Sequence, residues 1–308
     1  MIRIPYVIRN YRPSDFDDYV NLTAEAEKRH PAGRRTSPLR ISENLARPNY
    51  SPEQDLFIAE TTGKPVGFMD ITPERQTERA ILDCLVRPEH RGQGLGKKFL
   101  AQAVRRAREL KVKVLHVNIG QDDDVAKSIL PRLGFQVVRH FLELRLTLTG
   151  TRLPDDTSVN FSRRHLKSGQ ENILAQIQNR SFTGLWGYNP NTTEEITYYI
   201  NLSSSSPKDV LLVYDGDKPV GYCWTAINGE AVKGEKMGRI CMLGVDPDYR
   251  DRGIGRIALV AGLNYLQSSG VQVAELTVDS ENRAARALYH SVGFKEWSRS
   301  LWYEKAVD

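Results

Sequence analysis

The sequence predicts a mixed α/β fold built twice in tandem. Strand-like apolar runs dominate the start of each half and then alternate with helical stretches. A basic, glycine-rich turn between a strand and a helix occurs at Arg91 to Lys97 and again at Arg250 to Arg256, 159 positions later. The chain has 308 residues, about twice a common domain of roughly 150. A repeat of this size implies tandem domains, not a solenoid, and each half is long enough to bury its own core.

In the first half, Tyr6 to Arg12 reads as a strand. Pro13, Ser14 and Asp15 offer caps to a helix running to about Lys28. A polar segment with Pro31, Gly33, Arg34 and Arg35 follows, then a helical stretch around Ser42 to Leu45. Leu56 to Glu60 and Pro65 to Ile71 form a hairpin turned by Thr62, Gly63 and Lys64. Ala80 to Val86 is the strand that feeds the glycine-rich turn. Leu95 to Leu110 is a helix with Leu95, Phe99, Ala103 and Ala107 on one face. Val112 to Ile119 reads as a buried strand, and Asp122 to Leu133 as a short helix whose acidic start suits the dipole. Gly134 and Phe135 open a last strand to Leu146.

Pro, Gly and Asp cluster in Thr149 to Thr157, which reads as a linker. The expected domains are therefore 1–148 and 158–308, with 149–157 between them. The second half repeats the order. Strands are expected at Val159 to His165, Val210 to Tyr214, Pro219 to Ile227, Gly238 to Val245 and Val271 to Val278, with an edge strand from Phe294 to Lys305. Helices are expected at Glu171 to Phe182, Thr193 to Asn201, Gly255 to Gln267 and Asn282 to Val292.

Hydrophobic content of 40% and charged content of 26% are those of a soluble globular protein. The formal charge of +5 comes from dispersed basic residues with no long Lys/Arg run, which argues against a nucleic-acid partner. Cys84, Cys223 and Cys241 lie in apolar runs without a CxxC and read as buried free thiols in a reducing cytosol. The histidines form no HxH or HExxH pair, so no metal site is expected. There is no apolar leader and no 18-residue apolar run, so neither secretion nor a membrane span is expected and the cytoplasm is the expected compartment.

The chemistry concentrates in MLGVDPDYRDRGIGRIAL, Met242 to Leu259. Glycines let backbone approach a ligand closely. The following helix offers unpaired N–H groups and partial positive charge to an anion, and arginines add charge-assisted bonds to phosphate. Alone, Gly-x-Gly opening a helix is an ordinary turn. Two further facts make it specific. CLVRPEHRGQGLGKKFL repeats the spacing upstream, and ENRAARALYHSVGF follows downstream with Asn282, Ala285, Leu288, Tyr289, Gly293 and Phe294.

With both motifs at this separation, the chain resembles the GNAT family, the Gcn5-related N-acetyltransferases, over nearly its whole length. The family's loop is [QR]-x-x-G-x-[GA], and its later helix often reads N-x-x-A-x-x-x-Y before a Gly-Phe. The tandem layout, the GYCWT strand and the Val-Asp-Pro before the turn are most similar to mycothiol synthase-type tandem acetyltransferases. The resemblance implies two tandem GNAT folds, each a mixed, splayed β-sheet flanked by helices, that use acetyl-CoA. It implies that Gly238 to Val245 and Val271 to Val278 splay to admit the pantetheine arm, with Leu243 and Val245 N–H groups as partners and one of them polarising the thioester carbonyl. Arg250, Arg252, Gly253, Ile254, Gly255 and Arg256 would cradle the pyrophosphate, and Asn282 would bond the CoA backbone or cap its own helix. Tyr289 would protonate the leaving thiolate, since a phenol with a pKa of about 10 keeps its proton at neutral pH.

No general base emerges. Arg239 stands where the mycothiol synthase-type strand carries a Glu, and Glu235 and Glu275 are substitutes, each read more readily as a surface carboxylate. The first half keeps a cradle at Val86, Arg91, Gly92, Gln93, Gly94, Leu95, Gly96 and Lys97. It has Leu130 in place of Tyr289, Asp123 in place of Asn282, and Pro131 beside it, so it reads as a CoA-binding scaffold without the family's acid. All four tryptophans, Trp186, Trp224, Trp297 and Trp302, lie in the second half, and Trp186 with Tyr188 reads equally as acceptor pocket or core. The expected activity is acetyl transfer to the primary amine of a small molecule or peptide. A non-catalytic acyl-CoA sensor and a protein or peptide N-acetyltransferase are the alternatives, and the oligomeric state is not encoded legibly.

Overall fold

Alternating apolar residues make the strands and 3.6-residue stripes make the helices in a computed structural model that describes residues 5–29, 37–154, 161–227 and 234–307. The segment with Pro31 to Arg35, the end of the expected linker, and Val159 lie outside the described residues. In chain order the elements are β1 (Val7–Asn10), α1 (Phe16–Arg29), α2 (Pro38–Leu45), α3 (Pro52–Asp55), β2 (Leu56–Thr61), β3 (Lys64–Glu74), β4 (Arg79–Val86), α4 (Leu95–Leu110), β5 (Val114–Gly120), α5 (Asp124–Ile129) and β6 (Gln136–Thr147). They continue as β7 (Ser162–His165), α6 (Glu171–Phe182), α7 (Thr193–Ile200), β8 (Val210–Asp215), β9 (Lys218–Ile227), β10 (Met237–Val245), α8 (Ile254–Ser268), β11 (Val273–Asp279), α9 (Arg283–Val292) and β12 (Lys295–Ala306). None of the described helices is long and apolar enough to cross a membrane.

The chain divides into two units, Met1–Arg139 with Leu301–Asp308, and His140–Ser300. These limits differ from the stretches read off the sequence, because each half gives its last strand to the other unit. In the first unit the strand order is β1-β2-β3-β4-β5, and the end of β12 pairs beside β5. Glu304 Oε2 lies 2.8 Å from His116 Nε2 on β5, and Val307 N donates to Lys113 O at 2.8 Å. So β12 is no edge strand of the second half, and Trp302 packs edge-on to His116 in the first unit. In the second unit the order is β6-β11-β10-β9-β8-β7. There β6 pairs antiparallel with β11 from Phe141↔Asp279 to Thr147↔Val273.

In each unit helices cover both faces of the strands. In the second unit Leu142, Leu144, Leu146, Leu276 and Val278 bury one face with α8 and α9. Leu174, Ile177, Ile196 and Ile200 of α6 and α7 pack the other face against Tyr222 and Trp224. In the first unit Leu95, Phe99, Ala103 and Ala107 of α4 form the expected apolar stripe on one face, while Tyr19, Leu22 and Ile41 pack Phe68 on the other.

Local chemistry explains the departures from the expected bounds. α2 starts at Pro38 because Ser37 Oγ caps it, accepting from Arg40 N at 3.2 Å. α5 stops at Ile129 and a short 3-10 turn begins at Pro131, which lacks the N–H an α-helix needs. Cys223 is buried as expected, but Cys84 and Cys241 are exposed.

Candidate active site

In the second unit β10 and β11 pair in parallel only at Met237↔Val273, Gly238↔Ala274 and Arg239↔Glu275. Beyond Arg239 the two strands part, β10 staying with β9 as far as Val245 and β11 staying with β6 as far as Asp279. Asp246 N donates to Val220 O at 2.9 Å, so its N–H points toward β9. N–H direction alternates along a strand, so the N–H groups of Val245 and Leu243 face the gap. A bulge interrupts the β9 register between Ile240 and Met242, leaving Cys241 without an opposite number. A bulge bends its strand and re-aims the groups that follow, here Leu243.

The turn after β10 ends at Gly253, in the left-handed region at φ 79, which is the N-cap of α8 and supplies no side-chain cap. Its first turn therefore keeps unpaired N–H groups at Gly253, Ile254 and Gly255, with the positive end of the helix dipole behind them. A Ser or Asp cap would have placed its own oxygen against this turn and taken the N–H of Gly255 or Arg256. Gly255 lets α8 sit close, since a Cβ there would meet Leu288 Cδ2 at 3.3 Å and Val245 Cγ2 at 3.6 Å. The arginines are partly committed: Arg250 Nη2 donates to Ser181 O at 2.9 Å, Arg256 Nη1 to Ser291 Oγ at 2.9 Å, and Arg252 stands 4.9 Å above the Tyr249 ring. Each guanidinium carries five N–H donors, so others remain for a ligand.

Asn282 caps α9, accepting from Ala285 N at 3.0 Å. Tyr289 is buried on α9, edge-on to Phe294 with centroids 5.9 Å apart. Burial pushes its phenol above the ordinary value, so it keeps its proton across the neutral range.

The face of the sheet away from α8 carries residues that sequence reasoning did not assemble. Glu275 lies between two guanidinium groups: Arg239 Nη1 donates to its Oε1 at 3.4 Å, and Arg145 Nη2 to its Oε2 at 3.3 Å. Arg239 also donates to Thr277 Oγ1, which in turn donates to the Glu143 carboxylate at 2.8 Å. Arg145 stacks 4.0 Å from the ring of Trp297, which is 62% exposed. Glu143 and Arg145 belong to β6, so their place here was hidden behind the expected domain boundary. Their alternation with Leu142, Leu144 and Leu146 is the one signal that could have found them. Glu235, by contrast, is exposed. Trp224 is core, and Trp186 packs 5.9 Å from Phe141.

The first unit repeats part of this arrangement. β4 and β5 pair only at Arg79↔Val114, Ala80↔Leu115 and Ile81↔His116 before parting. Arg87 N donates to Val66 O at 2.9 Å, so the Val86 N–H faces that gap. Gly94, at φ 78, caps α4 without a side-chain bond, which leaves the N–H groups of Leu95 and Gly96 open. Gly92 is also left-handed, and Gln93 and the Lys97 side chain stand exposed around the turn. Arg91 Nε, however, donates back to Val86 O at 3.0 Å. The register of β4 on β3 runs unbroken from Gly67↔Val86 to Glu74↔Arg79, with no bulge. Leu130 is buried where the second unit has Tyr289, and Asp123 caps α5 as Asn282 caps α9.

Known proteins resemble this chain in sequence and in fold. The sequence profile of the Acetyltransferase (GNAT) family matches residues 19–135 and 172–294. A mycothiol acetyltransferase of Segniliparus rotundus is 27% identical over 259 residues, covering 80% of this chain and 93% of that protein. Among solved structures, a GCN5-related N-acetyltransferase from Sphaerobacter thermophilus superposes with a TM-score of 0.72 at 21% identity, over 98% of this chain and 96% of that one. A tandem GNAT protein from the clavulanic acid biosynthesis pathway gives 0.69 at 15% identity, over 99% and 98%. Two profile matches, a split sheet in each unit and a glycine-capped helix beside each split lead to one conclusion: this chain belongs to the GNAT family of acetyltransferases, in tandem form.

Proposed function

We propose that the second unit is the catalytic one and transfers the acetyl group of acetyl-CoA to the primary amine of a small molecule, by direct attack while both substrates are bound, in the cytoplasm. The bulge at Cys241 carries this reading, because it re-aims the Leu243 N–H beside the split while β4 of the first unit runs straight. The small-molecule class rests on the relatives named mycothiol acetyltransferase. The residues fit CoA: a helix start left open by a glycine cap suits a pyrophosphate, and unpaired strand backbone at Leu243 and Val245 suits an amide-bearing arm. Arg250, Arg252 and Arg256 would add charge to the cradle, and Asn282 would hold the start of α9 beside it.

Acetyl-CoA, when bound, supplies an acetyl thioester. The Leu243 N–H donates to the thioester oxygen and takes up the charge that grows there on attack. The amine attacks as the neutral base, having released one proton to solvent, and its nitrogen bonds to the acetyl carbon as the carbon–sulfur bond breaks. Tyr289 gives its phenolic proton to the departing sulfur and regains one from the amine's second released proton through water. The first unit, with Leu130 at the acid's place, is a non-catalytic domain that keeps a cradle at Arg91 to Lys97.

Parallel cradle variants test the division. Gly253→Val and Gly94→Val each force a branched residue into a left-handed conformation. CoA release is followed with a panel of small amines, after circular dichroism shows both proteins folded. Gly253→Val should abolish turnover and Gly94→Val should keep at least half. The reverse pattern would move catalysis to the first unit, and binding of acetyl-CoA without turnover of any amine would leave an acyl-CoA sensor.

A further inference from the structure

Glu143 and Glu275 stand on the face of the second unit's sheet away from α8, and they are not equivalent. Glu275 is 13% exposed and lies between the guanidinium groups of Arg239 and Arg145, so its charge is answered within the protein. Glu143 is 30% exposed. Its two oxygens accept from a single hydroxyl, Thr277 Oγ1, at 2.9 and 2.8 Å. Arg239 Nη2 stays 3.7 Å from Glu143 Oε2, beyond hydrogen-bond length. A carboxylate has about four acceptor sites, so Glu143 can take further donors.

The register puts this capacity at the split. Glu143 pairs with Thr277 across β6 and β11. Thr277 lies two residues past Glu275, the last residue of β11 that pairs with β10. Continued parallel pairing would set it opposite Cys241, the bulged residue. The Glu143 carboxylate leans over β11 toward this opening, since the Arg239 group that it approaches is rooted on β10. Thr277 fixes its direction. Arg239 can only donate, so Thr277 Oγ1 accepts from it and turns its one hydrogen to Glu143. Charge is graded along the face: Arg145, Glu275 and Arg239 form one row, and the next two positions toward the open end, Glu143 and Asp279, are acidic.

The fold does not need this arrangement. The two units correspond at an offset of 159: α4 begins at Leu95 and α8 at Ile254, and Val307 N bonds Lys113 O as Leu148 N bonds Gln272 O. Glu143 then corresponds to Trp302 and Thr277 to Asn118. Before the bulge the offset is one less, and Arg239 corresponds to Ile81, which pairs with His116 as Arg239 pairs with Glu275. The unit with Leu130 at the acid's place thus lacks this carboxylate as well. Partly exposed ion pairs add little stability, so pinning strands does not account for the network.

We propose that Glu143 is the seat of the acceptor's ammonium group and selects amines that arrive as cations. The inference rests on the second unit being the catalytic one. The ammonium donates to the unused acceptor sites of Glu143. One proton leaves to solvent, and a remaining N–H bond to the carboxylate holds the nitrogen at the split for attack on the acetyl carbon. Glu143 is a specificity-determining residue: it discriminates by charge, not by size.

The test uses two probes of nearly equal size. At neutral pH ethylamine is a cation and O-methylhydroxylamine is neutral. The full chain is given acetyl-CoA and each probe, and the ratio of kcat/KM for ethylamine to that for O-methylhydroxylamine is measured. In Glu143→Gln this ratio should fall at least about tenfold, chiefly through the KM of ethylamine, while acetyl-CoA affinity by isothermal titration stays within about twofold. Thr277→Val removes the hydroxyl that aims the carboxylate and should lower the same ratio about threefold. Equal losses for both probes would overturn the proposal, as would an unchanged ratio, a collapse in Glu275→Gln instead, or no turnover of either probe by the wild type. Gly253→Val separates this failure from that of the reading beneath it. If that variant keeps turnover, catalysis is not in the second unit and both fall. If it loses turnover while Glu143→Gln keeps the wild-type ratio, only the ammonium seat falls.

Discussion

Arg180 of α6 grips Asp246 with two hydrogen bonds, Nε to Oδ2 at 3.0 Å and Nη2 to Oδ1 at 2.9 Å. In the first unit the same place on the sheet is held by the opposite polarity: Arg87, the counterpart of Asp246, donates through Nε and Nη2 to Glu25 of α1 at 3.0 and 2.8 Å. The position, not the sign, is what the fold needs, because it ties the first helical layer to the strand end from which each glycine-rich turn springs. The sign sets the pH response.

Arg180's hydrogen bonds hold the Asp246 carboxyl below its ordinary range. A folded value below the unfolded one adds stability above the unfolded value, and that stability is lost as pH falls through the folded one. Between about pH 5 and pH 2, then, the thermal midpoint of the wild type should fall more steeply than that of Asp246→Asn, which has no carboxylate to protonate. At neutral pH the variant should bind CoA several-fold more weakly, because the amide NH2 in place of Oδ2 cannot accept from Arg180 Nε and so loosens the start of the turn. Parallel melting curves of equal slope would show that the pair is screened to nothing by solvent, Arg180 being 53% exposed.

Tyr289→Phe removes one oxygen and keeps the ring that packs on Phe294. The variant should fold and bind acetyl-CoA as the wild type does, and lose about 10²-fold or more in kcat with little change in KM for the acyl donor. Steady-state turnover with any accepted amine measures this. Unchanged kcat would mean that water protonates the sulfur and that the tyrosine is core.

Arg239 stands on the sheet face opposite α8, bonded to Glu275 and Thr277 and 3.7 Å from Glu143. Arg239→Met deletes the charge that joins these carboxylates and frees one side of Glu275. The amine KM should rise about tenfold while acetyl-CoA affinity stays within about twofold, since the cradle lies on α8 at the end of the strand. Isothermal titration separates the two. A matching loss of acetyl-CoA binding would place this network on the donor side.

The sequence was most legible where one residue type has one physical use. The bounds of α4 and α6 coincide with those expected from the sequence, and the glycines read as letting backbone approach a ligand include Gly94 and Gly253, which open their helices in the left-handed conformation. Illegible were features decided by partners. Periodicity marks β6 and β12 as strands but cannot say which sheet they join, so Glu143, Arg145 and Trp302 were assigned to the wrong neighbourhood. The bulge at Cys241 leaves no mark either, for an extra residue in a strand looks like any other until its partner is known.

The strand exchange also changes how the halves can be separated. A cut in the linker, giving residues 1–150 and 158–308, takes from each piece a strand its unit requires. The later piece loses β6, whose Leu142, Leu144 and Leu146 are 5%, 0% and 7% exposed, together with Leu148 at 0%. Each such side chain contributes roughly 1.5–3 kcal/mol, and a whole domain has a net stability of only about 5–15 kcal/mol. Their loss would also leave β11 with an unpaired edge. Residues 158–308 alone should therefore be aggregated or molten, and residues 140–300, which hold β6 and omit the segment belonging to the first unit, should fold cooperatively. If the second unit is the catalytic one, that piece should also acetylate whatever amine the full chain accepts. Near-ultraviolet circular dichroism, urea unfolding and CoA release on both pieces decide the matter. A cooperative transition in 158–308 equal to that of 140–300 would show that β6 is dispensable and that the division at His140 has no energetic meaning.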